Sequence, residues 1–307
     1  MKLLLLTGFL GAGKTTLLKK WLKETQSFRI GVLMNEFGDM GIDGRLIEEN
    51  GLTLLEISGG SVFCACLKED YILGLISLLS RDLDLVIVES SGMSDPSNME
   101  TVLTTVKEQA GKGYDYLGAV SIVDARYFLE QQKVIVAINR QIAYSNIVVV
   151  NKIDLQTEEN LKKIEKSIHE INPKSCIFYS EYGNVALPEI LNAISGRPIP
   201  DAEESINTPE NRLKTGVLTC EKPIPKTDFM SFVDAIKPYT YRIKGFLKSD
   251  KGNFEVSSVG TLSHYRHWPE NIDKTEVVII SSVGIKIVSL VHRTWKEMGL
   301  KAPIEFK

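Results

Sequence analysis

The feature that most constrains this chain is a glycine-rich octapeptide close to its start. Residues 8–15 read Gly-Phe-Leu-Gly-Ala-Gly-Lys-Thr and follow an apolar run at residues 3–6 that is typical of a buried strand. The octapeptide matches Gly-x-x-x-x-Gly-Lys-Thr, which forms a phosphate-binding loop when a strand precedes it and a helix follows. An amphipathic stretch containing Leu17, Leu18 and Trp21 does follow. This setting favours a nucleotide-binding loop over a plain glycine-rich turn.

Each part of the loop has a chemical role in holding phosphate. Glycines let backbone N–H groups turn inward around phosphate oxygens, and the helix N-terminus adds positive charge. Lys14 is predicted to reach the β- and γ-phosphates, and the Thr15 hydroxyl is predicted to ligate Mg²⁺. The predicted nucleotide-binding residues of the loop are Gly8, Gly11, Ala12, Gly13, Lys14, Thr15 and Thr16.

Composition narrows the class of protein. The chain has 307 residues, 43% of them hydrophobic, and a net charge of −3, which argues against nucleic-acid binding because that requires a concentrated basic surface. Its apolar runs are shorter than a membrane span, and the leucine-rich start runs directly into the phosphate loop, unlike a cleavable signal peptide. Four cysteines suit a reducing compartment, so we expect a cytoplasmic protein.

The chain reads as two domains of different character. Strand-like runs at residues 2–7, 30–34, 52–57, 85–89, 117–123, 147–150 and 176–179 alternate with helical patterns. Such alternation predicts an α/β fold with a doubly wound, mostly parallel sheet. We therefore predict a phosphate-loop domain at 1–196, a proline-rich linker at 197–211 and a smaller C-terminal α+β domain at 212–307.

A second nucleotide motif follows the apolar run at residues 148–150. Asn151-Lys152-Ile153-Asp154 stands at a predicted strand end, where the Asp154 carboxylate can accept both guanine N–H groups as a pair. Lys152 and Asn151 would hold the loop and cover the base. Taken alone, the tetrapeptide could equally be a helix-capping aspartate after a strand. Together with a phosphate loop, it predicts GTP rather than ATP.

Two further segments are candidates for parts that respond to the γ-phosphate. Glu89-Ser90-Ser91-Gly92 closes a predicted strand, where Glu89 could hold Mg²⁺ or orient water and Gly92 could offer its N–H to the γ-phosphate. The alternative is an ordinary strand end followed by a turn. Residues 35–44 are polar and glycine-rich, which is typical of a mobile loop that meets metal and phosphate, or of a solvated loop.

Two cysteines suggest a transition-metal site. Cys64 and Cys66 are separated by one residue near a predicted helix start, where thiol pKa values are lowered and a soft metal could bind. The alternative is that both are small core residues. Cys176 and Cys220 lie in apolar strand candidates and are interpreted as core. His264 and His267 lie in an aromatic, basic segment interpreted as a surface turn.

Taken together, these motifs resemble the CobW-type GTPase family, which is close to the GTPases that assist nickel insertion. The likeness rests on the phosphate loop, the segments at 35–43, 89–96 and 151–154, and Arg-Ile-Lys-Gly-Phe at 242–246. It implies a GTPase that binds GTP, Mg²⁺ and a transition metal, and that delivers the metal to a client metalloprotein or cofactor-dependent enzyme. Zinc is the expected metal, with cobalt or nickel as alternatives. Carried onto this sequence, the resemblance gives Lys14, Glu89 and Gly92 catalytic roles.

The cysteine segment departs from that family. The family has Cys-x-Cys-Cys, whereas this chain has Cys64-Ala65-Cys66-Leu67. Two thiolates leave a four-coordinate zinc site short of ligands. Glu36 could complete the site, a second copy of the chain could supply two more thiolates in a nucleotide- or metal-dependent homodimer, or the site could have lost the family's metal.

Two rival functions remain open at this point. The chain could be a metal-independent GTPase that remodels or activates a client enzyme through its C-terminal domain. It could also be a phosphate-loop kinase or another ATP-using enzyme, which the Asn151 motif disfavours. The sequence offers no evident arginine finger, so we expect slow intrinsic GTP hydrolysis that a partner accelerates.

Overall fold

The structure is a computed structural model. It describes residues 1–24, 28–36, 46–49, 52–58, 68–200, 214–260 and 262–307. For those of these residues that fall within 35–68, and for residue 70, it describes the backbone but not the side chain. The chain divides into two compact units, Met1–Asn211 and Arg212–Lys307. The predicted linker at 197–211 falls largely outside the described residues and stays a prediction. Within the described parts of the chain, no helix is both long and apolar enough to cross a bilayer.

The first unit alternates strands and helices. Its elements are β1 (Lys2–Thr7), α1 (Lys14–Glu24), β2 (Ile30–Glu36), β3 (Leu46–Glu49), β4 (Leu52–Ser58), α2 (Lys68–Leu79), β5 (Leu85–Glu89), α3 (Met99–Ala110), β6 (Asp115–Asp124), α4 (Phe128–Gln131), α5 (Val136–Ala143), β7 (Ile147–Asn151), α6 (Glu158–Ile171), β8 (Cys176–Ser180) and α7 (Leu187–Ile194). The strands form one sheet in the order β3-β4-β2-β5-β1-β6-β7-β8. All neighbouring pairs are parallel except β3 with β4.

This sheet is buried on both faces, which explains the continuous apolar runs in its strands. Leu4 and Leu6 of β1 belong to a core shared with α1 and α7, whereas Leu3 and Leu5 belong to a core shared with α2 and α3. Alternate residues of a strand face opposite sides, so a four-leucine run supplies both cores. Each buried leucine contributes about 1.5–3 kcal/mol to stability. The predicted α/β fold with a mostly parallel sheet is confirmed.

The sheet topology brings the predicted nucleotide-binding residues together at the carboxyl ends of the parallel strands. The first strand, β1, lies between β5 and β6, with β2–β5 on one side of it and β6–β8 on the other, so the strand order reverses there. Ligands of open α/β sheets bind at such a reversal point, beyond the carboxyl ends of the strands. β1 leads into the phosphate loop, and the neighbouring strands end at Glu89, Asp124 and Asn151.

The second unit is an antiparallel sheet with two helices. Its elements are β9 (Thr215–Cys220), α8 (Lys226–Ile236), β10 (Thr240–Ser249), β11 (Gly252–Val259), β12 (Leu262–Trp268), β13 (Thr275–Ser281), α9 (Lys286–Glu297) and β14 (Glu305–Phe306), with strand order β12-β11-β10-β13-β9-β14. α8 and α9 supply Phe232 and Trp295 to its core, and these two rings pack edge to face at 4.8 Å.

One expectation about this unit is wrong. The segment containing His264 and His267 is a strand, β12, rather than a turn. It pairs with β11 over seven residues, and these backbone hydrogen bonds outweigh its polar composition. The exposed His267 contacts the core residue Phe254 edge to face, and His264, three residues earlier in the strand, faces the other side of the sheet. The two imidazoles therefore do not form a joint metal site.

Candidate nucleotide site

Three glycines of the phosphate loop have positive φ, and at two of them, Gly8 and Gly13, a close neighbour also excludes a Cβ. Gly8 has φ of 140° and Gly13 has φ of 116°, both in the region that L-residues rarely adopt. A Cβ on Gly8 would lie 2.3 Å from the carbonyl oxygen of Ile122, and one on Gly13 would lie 2.5 Å from Nδ2 of Asn151. These glycines therefore let the loop approach β6 and the end of β7 closely.

Lys14 is the first residue of α1 and folds back over the phosphate loop. Its ammonium donates hydrogen bonds to the carbonyl oxygens of Gly8 at 2.7 Å and Phe9 at 3.3 Å. The residue is buried, with 8% of its surface exposed. A buried ammonium held on loop carbonyls is a positive charge fixed where phosphate oxygens are expected to bind.

The next residue, Thr15, is hydrogen-bonded to the carboxylate that ends β5. Its hydroxyl donates to Oε1 of Glu89 at 2.8 Å, and Glu89 is buried with 6% exposure. β5 lies next to β1, and the backbone N–H of Ser90 donates to the carbonyl of Leu6, which holds this strand end beside the phosphate loop. The two side chains form a pair of oxygen ligands of the kind that Mg²⁺ prefers, so their chemistry fits the ion.

Gly92 lies against the phosphate loop. A Cβ at this position would come within 2.8 Å of the backbone nitrogen of Leu10 and 2.6 Å of its side chain. Glycine is therefore required by the contact between these two loops. The loop after Glu89 is thus in direct contact with the loop predicted to surround the phosphates.

Asn151 joins three segments of the site. Its Nδ2 donates to the carbonyl of Ala12 in the phosphate loop at 2.8 Å, and its Oδ1 accepts from the N–H of Gly183, after β8, at 2.9 Å. The residue is 2% exposed. Because both ends of the amide are used, the position of the loop after β7 is tied to that of the phosphate loop. Gly183 belongs to no recognisable sequence motif, so its contact with Asn151 was not predicted from the sequence.

Lys152 lies in the left-handed backbone region, with φ of 64°, and crosses to the phosphate loop. Its ammonium donates to the carbonyl of Gly11 at 2.7 Å and to Oδ2 of Asp124 at 2.6 Å. Arg126 also binds the Asp124 carboxylate, with its Nη2 at 2.9 Å from Oδ2. Asp124 was not among the predicted site residues, because its partners are distant in sequence or belong to no motif.

The Asp124 carboxylate is stabilised in its charged form. Burial alone would raise the pKa of this group, but hydrogen bonds from Arg126 and Lys152 outweigh burial and lower the pKa below its usual range. The aspartate carries a negative charge at neutral pH and fixes Lys152 over Gly11. By contrast, Asp154 is exposed, in the 3₁₀ turn Ile153–Leu155. Its carboxylate makes no hydrogen bond to the described residues, so it can accept hydrogen bonds from a ligand.

The predicted transition-metal site lies mostly outside the described residues. Cys64 and Cys66 fall in the undescribed segment 59–67, and only the backbone of Glu36 is described, at the end of β2 opposite Ser58 of β4. Within the described ranges, no three His, Cys, Asp or Glu side chains are grouped as a metal site. The metal site remains a prediction.

The sequence is similar to a family of nucleotide-binding domains and to curated members of known name. Residues 2–179 match the family model described as CobW/HypB/UreG, nucleotide-binding domain. The chain is 31% identical over 224 residues to zinc-regulated GTPase metalloprotein activator 1 of Dictyostelium discoideum, covering 61% of this chain and 47% of that protein. It is 30% identical over 193 residues to the zinc chaperone YjiA of Escherichia coli K12, covering 61% and 60% respectively.

The same architecture is present in a solved structure. The crystal structure of Zn(II)-bound YjiA GTPase from E. coli superposes with a TM-score of 0.51 and 22% identity, covering 97% of this chain and 98% of that chain. At this identity the match supports the fold alone. The matched region spans about half to 60% of the length of the two curated relatives.

Proposed function

The chain belongs to the CobW/HypB/UreG family of nucleotide-binding proteins, and we propose that it is a GTPase whose nucleotide state controls delivery of a transition metal to a client protein. The observation that carries the GTPase part is the amide of Asn151, which bridges Ala12 of the phosphate loop and Gly183. This bridge holds the guanine-recognition motif and the phosphate loop in one rigid arrangement. A single nucleotide can therefore contact both.

Each residue then has a defined task in binding GTP. Asp154 accepts the two guanine N–H groups, while Lys152 covers the base and Asn151 holds the two loops together. Lys14 exchanges its loop carbonyls for β- and γ-phosphate oxygens. The backbone N–H groups of the loop, from Gly11 to Thr16, surround the β-phosphate.

Thr15 and Glu89 are the residues that would hold Mg²⁺, directly or through water. The ion supplies neutralisation of phosphate charge when bound. Gly92, packed against Leu10, offers its backbone to the γ-phosphate and makes the following loop sensitive to hydrolysis. The reaction that we propose is hydrolysis of GTP to GDP and phosphate.

The proposed cargo is a transition metal, and zinc is favoured by the names of the relatives. Cys64 and Cys66 lie between the two segments that we expect to respond to nucleotide, residues 35–44 and 89–95, and Glu36, the third candidate ligand, belongs to the first of these segments. A rearrangement of either segment would change the geometry of the site and the affinity for the metal. The client is a metalloprotein or another cofactor-dependent enzyme.

The GTPase proposal is tested by phosphate release with GTP and with ATP. We expect hydrolysis of GTP in preference to ATP, and loss of hydrolysis in Lys14→Ala. Lys19→Ala, which removes an exposed lysine from the same helix, is the matched control and should keep full activity. A preference for ATP would overturn the guanine assignment and favour a kinase or another ATP-using enzyme.

The metal proposal is tested by competition with a chromophoric zinc chelator. We expect the zinc affinity to differ between protein bound to a GTP analogue, protein bound to GDP and nucleotide-free protein. Cys64→Ala with Cys66→Ala should lose this zinc binding, whereas Cys176→Ala, in β8, should keep it. Equal zinc affinity in all three states, or client activation that survives loss of both cysteines, would favour the metal-independent rival.

A further inference from the structure

A buried glutamine on α5 holds the loop that follows Glu89. Gln141 is 1% exposed, and its Nε2 donates to the carbonyl oxygens of Ser94 at 3.0 Å and Gly92 at 3.3 Å. An amide nitrogen has two hydrogens, and here both are directed to carbonyls of one loop. Leaving buried donors unpaired is costly, so the side chain favours this loop conformation over others.

The neighbouring residue of α5 strengthens the same contact. The Arg140 guanidinium lies 3.3 Å from the carboxylate of Asp95, which is 2% exposed. Asp95 in turn accepts a hydrogen bond from the N–H of Ser97 and caps the 3₁₀ turn Pro96–Asn98. Two consecutive residues of α5 thus contact residues 92, 94 and 95.

The loop also contacts the phosphate loop. Gly92 contacts Leu10 closely enough to exclude a Cβ, so the same residue contacts both Leu10 of the phosphate loop and Gln141 of α5. A trans peptide places its C=O and N–H on opposite sides. Fixing the Gly92 carbonyl therefore also fixes the direction of the next N–H, that of Met93.

We propose that Gln141 is a positioning residue for the γ-phosphate of the nucleotide. It holds residues 92–94 against the phosphate loop, so that the backbone of this loop is ready to meet the third phosphate. GDP needs only the phosphate loop and the guanine-recognition loop, and neither is bonded to the Gln141 side chain. The residue therefore supports binding and hydrolysis of the triphosphate and has little effect on the diphosphate. This inference rests on the proposed GTPase function.

The test compares GDP and triphosphate affinity in Gln141→Met, which keeps the length of the side chain and removes both donors. Affinities for GDP and for a non-hydrolysable GTP analogue are measured by fluorescence titration, and GTP cleavage by single-turnover kinetics. We expect the affinity for the analogue to fall about tenfold, the effect of losing one or two hydrogen bonds, with GDP affinity little changed. Ile142→Val, a buried change at the next position of α5, should leave the ratio of the two affinities unchanged.

A second variant covers the case in which Gln141→Met does not fold. Gln141→Asn keeps an uncharged amide but shortens the side chain by one methylene, which withdraws the donors from the two carbonyls, so it should show the same selective loss of triphosphate affinity. An equal loss for GDP and the analogue, or no loss for either, would overturn the positioning role while leaving the GTPase proposal intact. If the wild-type protein binds neither nucleotide, the GTPase proposal fails and this inference fails with it.

Discussion

At the scale of single residues, the candidate site contains buried side chains that join its loops and exposed side chains that are proposed to contact the nucleotide. Asn151 is buried and bonded at both ends of its amide, whereas Asp154, three residues later, is exposed. A buried, fully paired residue contributes to stability, and an exposed carboxylate is available for recognition. Substitutions at the two positions should therefore have different effects.

Replacing Asp154 should change base specificity with little change in stability. In Asp154→Asn, an amide replaces the carboxylate, so the pair of hydrogen bonds from guanine is lost and GTP affinity should fall about tenfold to a hundredfold. Xanthine carries a carbonyl where guanine carries its amino group, and the new amide can donate to it. Titration with GTP and xanthosine triphosphate should show the preference reversed, and unchanged relative affinities would contradict the assignment.

Replacing Asp124, in contrast to Asp154, should lower the stability of the protein. Asp124→Asn removes the charge that pairs with Lys152 and Arg126 in a buried place, and breaking such a pair costs about 3 kcal/mol. Urea denaturation should show that loss in the free energy of unfolding. Glu159→Gln, which breaks an exposed pair with Lys163, is the matched control and should lower the free energy of unfolding much less, because solvent screens exposed charges. Equal losses in the two variants would show that Asp124 does not anchor Lys152.

The same carboxylate predicts a pH dependence. The pKa of Asp124 is lowered in the folded protein, so its contribution is complete above the unfolded-state pKa of about 3.9 and is lost as pH falls through the folded-state pKa. The difference in unfolding free energy between wild type and Asp124→Asn should be constant from about pH 7 to pH 5 and should shrink below about pH 4. Denaturation curves across this range test it, and a difference that grows on acidification would contradict it.

At the scale of elements, close packing between loops and strands matters as much as the side chains that they carry. The phosphate loop fits against β6 only because residue 8 has no Cβ. Gly111, at the end of α3, offers a useful contrast, since its φ of 68° also favours glycine but an added Cβ would meet no atom within 4 Å.

The pair Gly8→Ala and Gly111→Ala separates the contact from the backbone conformation. Gly111→Ala should cost about 1 kcal/mol, the penalty of a left-handed backbone, and should leave nucleotide affinity unchanged. Gly8→Ala adds a clash with the Ile122 carbonyl, so we expect a loss of about 3 kcal/mol together with loss of GTP binding. Thermal unfolding and nucleotide titration of both variants measure the difference. Similar losses would show that the close approach to β6 is not required.

Elements with strong local patterns were predicted well from the sequence. The strand at residues 85–89 has the predicted bounds, because five consecutive buried positions leave little ambiguity. The short strand β3 and the edge strand β12 were not predicted. β12 is mostly exposed or half-buried on both faces, so its sequence carries no alternation of apolar and polar residues.

In the candidate site, too, the residues that belong to motifs were predicted from the sequence and the others were missed. Lys14, Thr15 and Glu89 were predicted as one group and lie together, with Thr15 bonded to Glu89. Asp124 and Gln141 were missed, because each acts through partners that are far away in sequence or belong to no motif. A motif records residue types at fixed spacing, whereas these contacts depend on which strand ends meet at the edge of the folded sheet.

At the scale of the whole molecule, the two units have separate cores. In the described residues, two clusters of buried apolar side chains draw on residues 3–194, and a third draws on residues 218–306. The phosphate loop and the strand ends that carry the predicted nucleotide residues all belong to the first unit. Nucleotide binding should therefore stabilise the two units unequally.

Hydrogen exchange measured with and without a GTP analogue and Mg²⁺ tests this expectation. At a free ligand concentration of about 100 times Kd, linkage adds about 2.7 kcal/mol to the stability of the unit that holds the site. Amides of β1 and β7 should exchange more slowly by the corresponding factor of about a hundred, since these strands carry the loops that we propose bind the nucleotide. Amides of β10 and β13, in the core of the second unit, should change much less. Lys14→Ala should abolish the effect in the first unit, and equal protection of both units would show that they unfold as one.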